Sequence, residues 1–170
     1  QFPVGDDFTA TIGAVVRQDD MLGVWPSAYP TDSITDVLTY AGANAAYALS
    51  QGAGAGITYT KDSLSASLLV VSEDAASSSS GVLTSSGSDD VTAQLAWVGE
   101  GFTIAAAYTT SDGGVNEEDS TATTTAEKKQ DYDAWGFSGV YEFDNESTWV
   151  PASISAGVGW KTLDEEDDAN

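Results

Sequence analysis

The chain has 170 residues, 41% of them hydrophobic and 10% aromatic, which is enough apolar material to bury a core. It carries 27 acidic against 5 basic residues, a formal net charge of −22, and has neither cysteine nor histidine. That charge repels nucleic-acid phosphates and attracts cations, so no nucleic acid is expected as a partner. The missing thiols and imidazoles exclude disulfides, thiolate metal sites, the usual zinc ligands and a Ser-His-Asp triad.

Paired carboxylates stay available for acid–base work, but no pair stands out, so the chain reads as a non-enzyme without a cofactor. The acidity itself has two readings: a solvated surface adapted to salty water, or a field that draws cations inward. Gln1-Phe2-Pro3 opens the chain without a basic region or a long apolar run, so no signal peptide is expected. No stretch approaches the length of a membrane-spanning helix. A membrane, if crossed, must be crossed by strands.

Taken in chain order, strict period-2 alternation predicts seven strands, near residues 8–17, 52–60, 64–71, 91–98, 102–109, 132–143 and 148–161. In the first, Phe8, Ala10, Ile12, Ala14 and Val16 share one face, while Thr9, Thr11, Gly13, Val15 and Arg17 share the other. The second sets Ile57 and Tyr59 against Gly54, Gly56 and Thr58, and the third sets Leu64, Leu68 and Val70 against Ser65 and Ser67. In the fourth, Val91, Leu95 and Trp97 alternate with Thr92 and Gln94; in the fifth, Phe102, Ile104 and Tyr108 alternate with Thr103 and Thr109. The sixth and seventh alternate Trp135, Phe137 and Tyr141, then Ile154, Val158 and Trp160, with small or polar partners.

The connections alternate too. Lys61-Asp62-Ser63, Gly99-Glu100-Gly101 and Asp144-Asn145-Glu146-Ser147 read as tight hairpin turns. Between them lie long connections: 18–51, 72–90 and 110–131, the last two rich in serine, threonine and acids. Short turns at one end and long loops at the other are expected of an antiparallel up-and-down transmembrane β-barrel in an outer membrane. Aromatics on the apolar face gather toward the two strand ends, as amphipathic rings do at lipid headgroups. Phe8, Tyr59, Trp97, Phe102, Phe143 and Trp149 lie near the short turns; Tyr108, Trp135 and Trp160 lie near the long loops. Seven strands cannot close such a barrel, and open edges are not tolerated in lipid. A portion of a larger barrel is therefore expected.

The first long loop has its own aromatics and prolines, and Ile34, Val37, Leu38 and Ala41 are spaced for a short helix. Two readings compete: it folds into the lumen and narrows the pore, or it packs over the rim. A sharper third is a sugar platform at Trp25 and Tyr29. The segment Arg17-Gln18-Asp19-Asp20-Met21-Leu22-Gly23-Val24-Trp25-Pro26-Ser27-Ala28-Tyr29-Pro30 resembles cyanobacterial outer-membrane porins of the Som type, related to the carbohydrate-selective OprB group. Ser33 to Ala46 and Gly52 to Gly56 resemble them more diffusely. The resemblance implies a barrel of about 16 strands, passive passage of inorganic ions, including iron, and small solutes, and tethering to the cell wall through an N-terminal domain that this sequence lacks.

On this reading the partners are outer-membrane lipid, small solutes and ions, with a homotrimer among the assemblies open to it. Arg17, Asp19 and Asp20 at the mouth of the first strand, with Glu142 and Lys161 on the lumen face, are the candidate pore charges, although for any one of them alone a rim charge with no selectivity role is the stronger reading. The competing reading is a secreted or cell-surface β-sandwich that binds calcium through clusters such as Glu165-Glu166-Asp167-Asp168.

Overall fold

Side chains that alternate between branched or aromatic and small or polar suit a pleated surface with two unlike faces. The computed structural model describes residues 1–24, 46, 50–77, 82, 87–112, 131–143 and 153–163, and among them each of the seven runs is a strand. The order is β1 (Phe2–Val4), β2 (Phe8–Arg17), β3 (Gln51–Lys61), β4 (Leu64–Ser72), β5 (Asp89–Gly99), β6 (Phe102–Asp112), β7 (Tyr132–Glu142) and β8 (Ser153–Leu163). One 3-10 turn, Asp19–Met21, follows β2. The strands form a single antiparallel sheet in the order β1 to β8, each paired with its neighbours in sequence.

The expectation of seven strands is corrected to eight. The extra strand, β1, pairs Phe2 with Ala10 and Val4 with Phe8. It is three residues long and contains Pro3, too short for alternation to register and placed on an edge, where proline is tolerated. The sheet is not closed into a barrel: β1 and β8 are its two edges.

The short connections lie at one end. Gly5-Asp6-Asp7 joins β1 to β2, Asp62-Ser63 joins β3 to β4, and Glu100-Gly101 joins β5 to β6. Each uses one left-handed residue: Gly5 (φ 70), Asp62 (φ 51) and Gly101 (φ 74). Glycine and aspartate are the residues that tolerate that conformation. The turns are also stitched to the next hairpin, since the amides of Thr60, Val98 and Glu142 donate to the carbonyls of Asp7, Ser63 and Gly101, each at 2.8 Å. Lys61 Nζ adds an ion pair to Asp7 Oδ2 at 3.1 Å. The expected turn at 144–147 and the first residues of the seventh expected run lie outside the described residues, as does the expected short helix before Ala46.

Burial is inverted with respect to a water-soluble sheet. The apolar face is the exposed one: Ile12 is 70% and Ile104 56% accessible, and Leu68, Leu95, Trp97, Phe137, Val158 and Trp160 are exposed with them. The face that is covered is polar, with Thr92 and Thr109 at 0% and Gln94 at 4%. Period-2 alternation thus sorts the faces as expected, with one exception. A register shift between Gly13 and Val16 in the β2–β3 pairing places Val16 opposite Gly52, on the polar face, and Arg17 opposite Gln51, on the apolar one. The expected facing of Val15, Val16 and Arg17 is therefore reversed by a bulge.

Candidate functional site

Above the polar face lies the beginning of the first long loop. Met21, fully buried, packs with Leu69 and Val71, and Val16 and Leu22 complete the cluster. Room for it comes from the glycines of β3. A Cβ on Gly56 would stand 3.0 Å from Leu69 Cβ of β4, 3.0 Å from Met21 Sδ and 3.2 Å from Met21 Cβ, so a larger residue there would press on the loop as well as on the neighbouring strand. Farther along, Ala46 packs with Ala107, Tyr132 and Ala134, and Leu22 borders that cluster as well.

Polar side chains of the sheet hold the loop in place. Gln94 grips Val24 at both ends of one peptide residue: Oε1 accepts from Val24 N at 3.1 Å and Nε2 donates to Val24 O at 2.9 Å. Thr58 Oγ1 donates to Met21 O at 3.1 Å. A hydrogen-bonded chain then ties the two ends of the loop together. Gln18 Nε2 donates to Thr92 Oγ1, Thr92 and Thr109 hydroxyls lie 2.7 Å apart, and Thr109 Oγ1 donates to Ala46 O at 2.8 Å. Each hydroxyl has one proton, so Thr92 must be the donor to Thr109. Gln18 N also donates to Ser50 O at 3.1 Å, where the loop returns to β3. The described residues of this loop, 18–24, 46 and 50, lie against the polar face or at its end, and the rest of the loop lies outside the described residues.

The expected site residues do not converge. Arg17 Nε is 3.3 Å from Asp19 Oδ1, a local ion pair at the end of β2, and Asp20 is exposed beside it with its carbonyl accepting from Gln1 Nε2 at 3.0 Å. Lys161 is on the polar face toward the long-loop end, opposite Ala134, and its ammonium sits 3.6 Å from the centroid of the Tyr132 ring. Glu142 is exposed at the other end of the sheet, beside the short turns. Trp25 and Tyr29 lie outside the described residues. No three acidic residues among the described ones are grouped so as to hold a metal ion.

The aromatics fall into two sets on the apolar face. Phe8 and Tyr59 lie 4.9 Å apart near the short turns, and Tyr141 meets Phe143 edge-on at 5.1 Å. Phe102 is paired with Tyr141 in register, and Trp97 lies one strand away, opposite Ile104. Toward the long loops, Tyr108 and Trp135 are 4.6 Å apart, and Trp160 is opposite Trp135 in register. Phe137, stacked on Trp160 at 5.7 Å, is a mid-strand exception. Beyond the second set the same face turns polar, with Thr110 opposite Asp133 and Asp133 opposite Thr162. Tyr108 Oη donates to Asp133 Oδ1 at 2.6 Å, so the ring stays with the apolar surface while its hydroxyl reaches the polar rim. Trp149 lies outside the described residues.

The residues missed from sequence are the loop's anchors: Gln18, Thr58, Thr92, Gln94, Thr109 and Tyr132. Gln94 gave a signal, being a long amide in the middle of a strand whose neighbours on that face are small. A buried amide needs partners, and here they come from the loop. No protein family, curated protein or solved structure matches the chain.

Proposed function

We propose that this chain is part of the wall of an outer-membrane porin, a section of a barrel of about 16 strands, that lets inorganic ions and small solutes diffuse passively and favours cations. The observation that carries this reading is the inverted burial. A large, contiguous apolar face is exposed, bordered by aromatics at both ends and by polar residues beyond them, while the polar face is the covered one. Water penalises such a surface by about 25 cal/mol per Å² of apolar area, whereas lipid rewards it. An 11-residue strand such as β6 is roughly 36 Å long, and at a 45° tilt it would rise roughly 26 Å, the height of the apolar band of such barrels.

The polar face suits a hydrated wall. Among the described residues, the hydroxyls of Ser65, Ser67 and Ser138 are buried on it without a protein partner, the environment in which ordered water completes the hydrogen bonding. Residues 18–24 and 46 of the loop, pinned on this face, narrow the passage, and the net charge of −22 raises the local cation concentration at its mouth. The open edges at β1 and β8 leave unpaired backbone groups that lipid would penalise, so pairing with further strands completes the wall.

The test is electrical. The full chain, meaning the complete polypeptide that carries this section of the wall, extracted from membranes in detergent and inserted in a planar bilayer under a potassium chloride gradient, is expected to conduct with a reversal potential on the cation side. Anion preference at neutral pH would overturn the charge assignment, and a chain that stays soluble without detergent and never conducts would overturn the porin.

A further inference from the structure

Among the described residues the basic side chains are Arg17, Lys61 and Lys161, and two of them are neutralised off the polar face. Arg17 pairs with Asp19, and Lys61 pairs with Asp7 beside the short turns. Lys161 alone stands on the polar face, and among the described residues no carboxylate comes within ion-pair distance of it. It is held in place by Tyr132, whose ring lies 3.6 Å under the ammonium and is itself buried. A desolvated cation over an aromatic face is attracted by the ring quadrupole, and unlike a carboxylate the ring leaves the net positive charge in place.

The same ring touches the infolded loop. Tyr132 packs with Ala46, Ala107 and Ala134, and Ala46 O is the end of the hydrogen-bonded chain from Gln18. One aromatic residue therefore connects Ala46, a described residue of the loop, to the lysine. The buried carboxylate of Asp90 acts on the ammonium through space without forming an ion pair. Asp90 offsets part of that charge without pairing with it, and Lys161 remains the one basic group on the polar face among the described residues.

We infer that Lys161 is the residue that limits the cation preference of this pore: it admits inorganic anions at the narrow section that the acidic loops would otherwise exclude. The assignment rests on the porin reading. Its removal is felt by both ions with opposite sign, so the effect on a permeability ratio is doubled relative to the effect on either ion alone. For an ion passing within about 8 Å in water, neutralising one unit charge changes the cation-over-anion ratio roughly fivefold.

The experiment compares the wild-type full chain with Lys161→Met and Lys161→Arg in planar bilayers under a tenfold potassium chloride gradient. The expected result is a cation-over-anion permeability ratio about fivefold higher in Lys161→Met and unchanged in Lys161→Arg, with similar conductance at high salt in all three. Similar conductance shows that the variants form the same pore. An unchanged reversal potential in a conducting Lys161→Met overturns this assignment and leaves the porin standing. A wild-type chain that never conducts overturns the porin, and this assignment with it.

Discussion

Thr109 has one proton to donate, and it spends it on the carbonyl of Ala46, so the direction of the whole chain back through Thr92 to Gln18 follows. Valine at position 109 keeps the shape and removes the proton. It would leave Ala46 O and the Thr92 hydroxyl without their partner in a buried place, at a cost of about 1–3 kcal/mol. Thr109→Val is therefore expected to loosen the loop while leaving the sheet intact. Amide hydrogen exchange checks this: faster exchange at Met21 and Leu22, with unchanged protection in β5 and β6. Such anchors were poorly legible in the sequence, because their partners are far away in it; Gln94 and Val24 are 70 positions apart. The faces of β4 to β8 were legible, because period 2 places alternate residues on opposite sides whatever they touch. Around Val15 and Val16 legibility failed for a physical reason. Ala14, Val15 and Val16 are all apolar, so a bulge that exchanges their faces leaves no mark in the pattern.

At the scale of elements, β3 shows how a strand can be shaped to receive a loop. Gly52, Gly54 and Gly56 sit at alternate positions on its polar face, and the would-be side chain of Gly54 meets Val16 while that of Gly56 meets Met21. Glycine is poor in a strand interior and often marks a place where other chain comes close. In the sequence this stretch read as a Gly-Ala-rich strand; the reason for the glycines became visible only with the loop in place. Gly56→Val would add a branched side chain against Met21, an overpacking that costs about 1–3 kcal/mol. Lifting the loop is the simplest relief, since Gly56 itself lies in paired register with Thr11 of β2 and Leu69 of β4. A larger single-channel conductance is expected for Gly56→Val, measured in the same bilayers as wild type; a smaller or unchanged conductance would contradict the constricting role of the loop. β1 makes the opposite point about legibility. Three residues containing a proline carry too little pattern to be read, yet they add a strand and move the edge of the sheet.

At the scale of the molecule, the sheet leaves its apolar side exposed, and the porin reading turns on what covers that side. Eight strands in sequence order, short turns stitched into one rim and a polar face partly covered by residues 18–24 and 46 of its own loop are the features on which the proposed wall rests. A barrel wall in lipid requires partners for both edges, whereas a sandwich would need a second sheet to bury the apolar face. Lipid and protein make different demands at a single position on that face. Leu95 lies on it between the two aromatic sets, 55% accessible. The most direct measurement is the unfolding free energy of Leu95→Arg against wild type, for the full chain in lipid vesicles. Burial of this face in lipid predicts a loss of about 2–4 kcal/mol for an arginine near the bilayer midplane; an unchanged or raised stability would contradict it.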